Sequence, residues 1–227
     1  TLPDLAVANE FSATVSVLLG GGDGSFAPRV DYTVGSQPSG VGVGYFNPDK
    51  RLDLVVANGN TLEEDGPAPK KLKPQDTLLF WNRHGEFFHN IAPLHAGLSE
   101  KHVSRGLALA DFDNDGDMDI MIADLGEGAR LFRNDMQTGH WLKVRLRSRL
   151  KDGRPLGFGD GAKVIAHVGA AVLRRTVSSV SYLSQSSRTL HFGLGKAASV
   201  DQLEVRWHAG ATNYFTNLAA NATWEIT

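Results

Sequence analysis

The segment Asp111-Phe-Asp113-Asn-Asp115-Gly116-Asp117-Met-Asp119 places five carboxylates at alternating positions. Side chains this close repel one another in an empty loop, and a hard cation removes the repulsion by gathering their oxygens. Calcium accepts roughly six to eight oxygen ligands, bidentate carboxylates and backbone carbonyls included, whereas magnesium prefers few carboxylates and several waters. The spacing therefore predicts a Ca2+ site. Asp111, Asp113 and Asp115 would ligate through side chains, Asp117 through its backbone carbonyl, and Asp119 through a closing carboxylate. Gly116 supplies the sharp bend. The competing reading is a solvated acidic turn, since Asp and Gly favour turns in any case.

A second segment, Tyr45-Phe-Asn47-Pro-Asp49-Lys-Arg-Leu-Asp53, has the same length and reads as a weaker metal loop built on Asn47, Asp49 and Asp53. Tyr45 stands where the first ligand should be and Lys50 where the glycine should be. A positive charge beside a cation site opposes binding, so a purely structural turn is the default there. Neither loop is an EF-hand. That motif carries a bidentate Glu at about its twelfth position, between two helices, and the corresponding residue of the first loop is Ile122, in a short apolar run that suits a buried strand.

The elements that position these loops repeat along the chain. Residues 41–58 superpose on 107–124: Phe46 falls on Phe112, Asp49 on Asp115, Asp53 on Asp119 and Ala57 on Ala123. Pro3-Asp4-Leu-Ala-Val-Ala-Asn9 matches the end of the same unit, so the chain is expected to start inside a repeat. The anchor residues Asp4, Asp53 and Asp119 lie 49 and 66 residues apart, and the longer interval holds a Pro-, Lys- and Glu-rich stretch over 60–76 that reads as an inserted surface loop. Within each unit an apolar strand leads to a Gly turn and an aromatic that starts the next strand: Gly24 and Phe26 in one, Gly85 and Phe87 in the other. Such units cannot bury their faces alone, and radial stacking of four-stranded blades is the natural solution. Two units and a remnant do not close a ring, so an open part of a propeller is expected.

After the last repeat, residues 140–148 alternate apolar Leu142, Val144 and Leu146 with Trp141, Lys143, Arg145 and Arg147, a half-buried strand. Residues 162–168, 172–180, 190–194, 203–207 and 223–226 continue as strands separated by turns, which predicts an antiparallel β-sandwich. The fold expected is thus all-β: propeller blades over 1–136 and a small sandwich over 137–227. Arg145, Arg147, Arg149, Lys151 and Arg154 form a basic run that reads as a solvated face, with contact to an acidic polysaccharide as the lesser reading. The Tyr182-Leu-Ser-Gln-Ser-Ser187 segment could offer hydroxyls to a sugar, but reads better as a turn whose Ser and Gln bond to backbone.

The aspartate loop with its flanking strands resembles the FG-GAP or VCBS repeat of integrin-type propellers. Leu131-Phe-Arg-Asn-Asp135, His140-Trp-Leu-Lys-Val-Arg-Leu146, Gly161-Ala-Lys-Val164, Tyr182-Leu-Ser-Gln-Ser-Ser187, Leu190-His-Phe-Gly-Leu-Gly195 and Leu203-Glu-Val-Arg-Trp207 follow in that order. Together they resemble the ASPIC/UnbV module that follows such repeats in bacterial secreted proteins and in the cartilage acidic protein family. The resemblance implies a calcium-binding, secreted or cell-surface protein.

The chain shows no nucleophile elbow, phosphate loop or His-Glu-x-x-His motif, and its eight His are scattered without metal spacing. With no Cys, disulfides and thiol chemistry are excluded. A formal net charge of -2 gives no reason to expect nucleic acid as a partner, and no apolar run approaches a membrane span. The expected function is a non-catalytic structural or adhesive module rigidified by calcium, with a protein or glycan partner left open. The alternative is a carbohydrate-binding accessory module of a secreted enzyme or surface protein, with Trp81, Tyr182 and Trp207 as sugar-contacting candidates.

Overall fold

In the computed structural model the described residues are all except 1–3, 22, 24, 60–71, 84–86, 137–138, 151, 179 and 182–183, with the side chains of 180–181 also left aside. The expectations for Gly24, Gly85, Lys151, Tyr182 and most of the inserted loop lie outside these residues.

Apolar alternation builds three antiparallel sheets in succession. The first holds β1 (Leu5–Asn9), β2 (Thr14–Leu18) and β3 (Val30–Thr33). The second holds β4 (Pro38–Gly44), β5 (Asp53–Asn58), β6 (Leu78–Arg83) and β7 (Phe87–Asn90). The third holds β8 (Ser104–Ala110), β9 (Asp119–Asp124) and β10 (Gly128–Phe132). Two single turns of 3-10 helix, Ala92–Leu94 and Ala96–Leu98, link the second sheet to the third. Phe87 opens β7 as the repeat predicts, whereas Phe26 makes an isolated bridge to Gly20 ahead of β3.

β5 explains why the sheets stack. Its successive side chains point to opposite faces, as strand geometry requires. Leu54 and Val56 pack with Val15, Val17 and Phe80 toward the first sheet, while Val55 and Ala57 pack with Leu107, Leu109 and Ile122 toward the third. A strand covered on both faces reads as a continuous apolar run, which is what Leu54-Val-Val-Ala57 is. β4 approaches β8 closely because its glycines leave room: a β-carbon on Gly42 would sit 2.8 Å from Leu109 Cδ1. The arrangement is all-β, compatible with part of a propeller, and closes no ring among the described residues.

The C-terminal part begins with β11 (His140–Leu146), then β12 (Ser148–Arg149), β13 (Pro155–Gly157), β14 (Lys163–Val168) and β15 (Ala171–Thr176). It continues with β16 (Val180–Ser181), β17 (Ser184–Gln185), β18 (Leu190–Gly195), β19 (Ser199–Arg206), β20 (Thr212–Ala219) and β21 (Ala222–Ile226). Sheets of order β18-β11-β21 and β15-β14-β19-β20 enclose one core containing Leu142, Val144, Val164, Phe192, Leu203 and Val205. The expectation of a purely antiparallel sandwich is corrected in one place. β21 pairs with β11 in parallel, Leu142 opposite Ala222 and Leu146 opposite Ile226. β20 belongs to one sheet and β21 to the other. The chain changes sheets at Ala220–Asn221, where the Asn221 amide donates to Trp141 O at 2.6 Å, so this crossing rather than a hairpin sets the direction of β21.

The two parts are joined by polar contacts to backbone. Ser184 Oγ donates to Leu107 O at 2.7 Å, and the Leu109 amide donates to Ser186 Oγ at 3.2 Å, so these hydroxyls do bond to backbone, but to the free edge of the distant β8 rather than within their own turn. Arg175 donates from both terminal nitrogens to Val43 O. The second and third sheets approach closely at Gly59, where a β-carbon would fall on the Ser104 carbonyl. Gly59→Ala is therefore expected to destabilise the protein by about 2 kcal/mol, the usual cost of overpacking. Urea melts read this directly, and an unchanged midpoint would show that the sheets do not meet there.

Candidate metal centre

The loop between β8 and β9 is folded by its own carboxylates. Asp111 Oδ2 accepts from the Gly116 amide at 2.9 Å, Asp113 Oδ1 from the Asp115 amide at 3.3 Å, and Asp115 Oδ1 from the Asp117 amide at 2.9 Å. These bonds require the chain to turn back sharply, and Asn114 (φ 64°) and Gly116 (φ 103°) adopt the left-handed backbone that permits it. The result gathers one oxygen each of Asp111, Asp113 and Asp115 within 4.8 Å of one another. Asp119 does something different. Its Oδ2 accepts from the Phe112 amide at 2.7 Å and its Oδ1 from the Asn134 amide at 2.8 Å, bracing the loop against the strand after it. Burial pushes the Asp119 carboxyl up from its ordinary pKa, with the two amides pulling the other way. Asp117 is nearly buried and its carboxylate stands outside the three-carboxylate cluster.

The C-terminal part supplies residues that the loop sequence does not announce. Lys143 Nζ, on β11, forms an ion pair with Asp111 Oδ2, both side chains being over nine-tenths buried. The same ammonium lies 4.7 Å from the centroid of the Trp141 ring. That indole covers Gly116 so closely that a β-carbon there would fall on it. From β18, His191 Nε2 donates to Gly116 O at 2.6 Å, which fixes the proton on Nε2 because a carbonyl only accepts. Alternation along β11 places Lys143 on the polar face, but that face meets the acidic loop rather than water. Arg145, Arg149 and Arg154 are exposed as the basic-run reading predicts. Two buried side-chain atoms at this junction have no hydrogen-bond partner among the described residues, Asp111 Oδ1 beside the cluster and His191 Nδ1. A buried acceptor left bare is costly, and a cation beside Asp111 Oδ1 would offset that cost.

The second loop has the same skeleton without the cluster. Asp53 Oδ2 accepts from the Phe46 amide at 3.4 Å and Oδ1 from the Asn82 amide at 2.9 Å, the counterparts of the Asp119 bonds. Asn47 Oδ1 accepts from the Asp49 amide and Asp49 Oδ1 from the Arg51 amide, both at 2.9 Å. Asn47 Nδ2 also donates to Asp53 Oδ2 at 2.8 Å, and Trp81 Nε1 donates to Asp49 Oδ2 at 3.2 Å. Every oxygen of this loop named for a metal is thus engaged by an internal donor. Tyr45, in the place of Asp111, is buried against His191 and the Arg175 guanidinium. Burial pushes Asp53 up to about 7, with repulsion from Asp49 adding to it and the two amides opposing. A third instance of the brace survives at the start of the chain, where Asp4 Oδ1 accepts from the Gly20 amide at 3.0 Å. Of the aromatics considered for sugar contact, Trp81 is tied to Asp49, and Trp207 Nε1 donates to Asn213 Oδ1 at 2.7 Å.

Comparison with known proteins agrees with the C-terminal reading. Residues 154–227 match the family described as ASPIC and UnbV. β11 precedes the matched stretch yet lies between β18 and β21 in one sheet, so the structural unit starts earlier than the match. The chain is similar to cartilage acidic protein 1 of Homo sapiens, 32% identical over 247 residues, covering 83% of this chain and 36% of that protein. It is also similar to cartilage acidic protein 1 of Xenopus tropicalis, 31% identical over 173 residues, covering 73% of this chain and 24% of that protein. The chain therefore spans about a third or less of the length of these curated relatives. The similarity supports the ASPIC/UnbV family for the C-terminal part.

His191 gives the site a measurable pH signature. Burial first, then the nearby Arg175 and Lys143 charges, push its pKa down to about 4, although the bond to Gly116 O opposes this. Its folded pKa lies below the unfolded value of about 6.5, so its contribution to stability is complete above 6.5 and is lost as pH falls toward 4. Asp53 acts in the opposite sense, its contribution fading as pH rises through 7. In His191→Gln the His191 part of the acid sensitivity, about 3 kcal/mol at most, should disappear from the difference between variant and parent. NMR titration of the His191 ring should give a midpoint near 4, and one near the ordinary histidine value would mean the ring is not held under Gly116.

Proposed function

We propose that this chain is a non-catalytic, calcium-binding structural or adhesive module of an extracellular protein, in which the ion at Asp111, Asp113 and Asp115 stiffens the junction between the blades and the ASPIC/UnbV part. The observation that carries it is the buried, unpaired Asp111 Oδ1 beside two further carboxylates. Lys143 answers one of the three negative charges and Arg133 Nε lies 3.9 Å from Asp113 Oδ2 in a more exposed pair, so a divalent ion would answer what remains. The donors are all hard oxygens with several carboxylates among them, which suits calcium better than magnesium or zinc. Reading the first three sheets as FG-GAP or VCBS blades is supported by the recurring brace at Asp4, Asp53 and Asp119. The extracellular setting is supported by similarity to proteins whose name places them in cartilage, and among the described residues no helix is long and apolar enough to cross a membrane.

Calcium titration followed by thermal melting tests the proposal. A native-state ligand at about a hundred times its Kd stabilises by about 2.7 kcal/mol, so Tm should rise with added calcium and fall with chelator. In Asp113→Asn/Asp115→Asn the calcium-dependent rise should vanish while the chelated protein melts no lower than the parent, since repulsion is relieved. A Tm indifferent to calcium in the parent protein would end the calcium reading.

Lys143→Met separates the two cations. Removing one partner of a buried ion pair costs about 3 kcal/mol, so the variant should melt lower in chelator. Because the ion then answers more of the exposed imbalance, the calcium-dependent rise in Tm should exceed that of the parent. Equal rises would show that Lys143 and the ion act independently.

A further inference from the structure

The second and third sheets leave a cleft between them of about 860 Å3. Its floor is apolar. Phe46, Leu79, Met118 and Ile120 belong to the core these sheets share, and none is more than 7% exposed. The walls are apolar too, but open to water: Leu131 is 56% and Met136 49% exposed, and Trp81 and Phe132 are half-buried. Phe132 fits there because residue 97 is glycine, where a β-carbon would lie 2.8 Å from its ring. Single exposed apolar side chains are ordinary on a protein surface, whereas exposed ones that run on into the core mark a contact site. The volume lies within the roughly 300–1,000 Å3 of pockets that enclose a ligand.

The charges along the cleft say what kind of group it receives. Apart from His95, its titratable lining is Asp49, Asp53, Asp135 and Arg133, three carboxylates to one guanidinium. Arg133 is already claimed by acids, its Nε 2.6 Å from Asp135 Oδ1 and 3.9 Å from Asp113 Oδ2. Asp53 is buried and spent on bracing its loop. Asp49 is half-buried, and its oxygens accept from the Arg51 amide and the Trp81 indole, both neutral donors that orient the carboxylate without cancelling its charge. The side chains of Lys50 and Arg51, next in the chain, line the cleft beneath the first two sheets instead. An apolar cleft with surplus negative charge is complementary to an apolar group that carries a positive one. A neutral sugar would leave the carboxylate unanswered and the apolar floor uncovered, and an acyl chain would meet the walls but not the charge.

We propose that this cleft receives a segment of a protein partner that carries a large apolar side chain beside a lysine or arginine. The apolar side chain would enter between Trp81, Leu131 and Met136, as an anchor does in an interface pocket, and the basic group would pair with Asp49 and Asp135. The methionines at floor and rim are unbranched and adapt to the shape of what enters. The inference rests on the adhesive reading, whose open partner it specifies, and does not require the ion at the aspartate loop.

The test begins with a phage-displayed library of random dodecapeptides panned on the purified full chain. The most enriched peptide is then labelled and its binding followed by fluorescence polarisation, in calcium and in chelator. Enriched sequences should carry Trp, Phe, Leu or Met within about two positions of Lys or Arg, an anchor-and-charge pattern. Binding should be saturable, weaken as salt is raised and persist in chelator. Leu131→Ser/Met136→Ser and Asp135→Lys, all at exposed positions, should each weaken it by about tenfold, the effect of roughly 1.4 kcal/mol. Leu156→Glu, on an exposed residue of the C-terminal part, should leave it unchanged, and thermal melts confirm that each variant is folded. The proposal is overturned if no peptide is enriched over the bare support, if the enriched sequences are acidic or lack an apolar residue, or if the cleft variants bind like the parent. Any of these with a Tm that still rises with calcium would remove the peptide site alone, and peptide binding with a Tm indifferent to calcium would remove the ion alone.

Discussion

Buried carboxylates organise this molecule, and each is tolerated only because something positive or proton-donating meets it. Asp53 and Asp119 each receive two backbone amides from separate segments, one at the loop they close and one beyond the next strand. Asp124, at the far end of β9, is held by Ser104 Oγ at 2.7 Å and Arg130 Nε at 2.5 Å. A carboxylate moved out of water without such partners would be neutralised or expelled. β9 is therefore tied at both ends, at Asp119 and at Asp124, by side chains that the apolar core alone would exclude.

The same constraint governs the junction between the two parts of the chain. The acidic loop presents a concentration of negative charge, and the surface that covers it brings an ammonium, an indole and a neutral imidazole. Only Lys143 among them carries charge, so the junction is under-compensated as long as the carboxylates have no other cation. The loop is a structural contact in either case, and the imbalance is what the proposed ion would answer. Its twin at residues 45–53 shows the alternative outcome. There Tyr45 removes the first charge, the remaining oxygens are satisfied internally, and the contact to the C-terminal part becomes aromatic and cationic through His191 and Arg175.

Positive charge is distributed with corresponding economy. In the basic run, Arg145, Arg149 and Arg154 are exposed, and Arg147 pairs with Glu225 and Arg154 with Asp152. The cleft beneath the first two sheets sets Lys50, Arg51, Lys163, Arg174, Arg175 and Arg206 among apolar side chains, with Arg206 held by Glu204 and Arg175 by the Val43 carbonyl. Basic residues clustered in sequence thus prove ordinary, while those brought together from four separate stretches form the distinctive surface.

How much of this could be read in advance follows from the range of the interactions. The Asp spacing, the two superposed repeats and the strand alternation are local, and they foretell the all-β fold, the bend at Gly116 and the gathering of Asp111, Asp113 and Asp115. Apolar Leu54 to Ala57 likewise announces a strand covered on both faces. Alternation states which face of a strand is polar but not what that face will meet, so Lys143 reads as solvated when it lies buried against Asp111. The parallel pairing of β21 with β11 depends on where the chain changes sheets, and the brace on Asp119 comes from Asn134, fifteen residues on. Such partners are chosen by packing across the whole fold, where burial decides which charges must find one another.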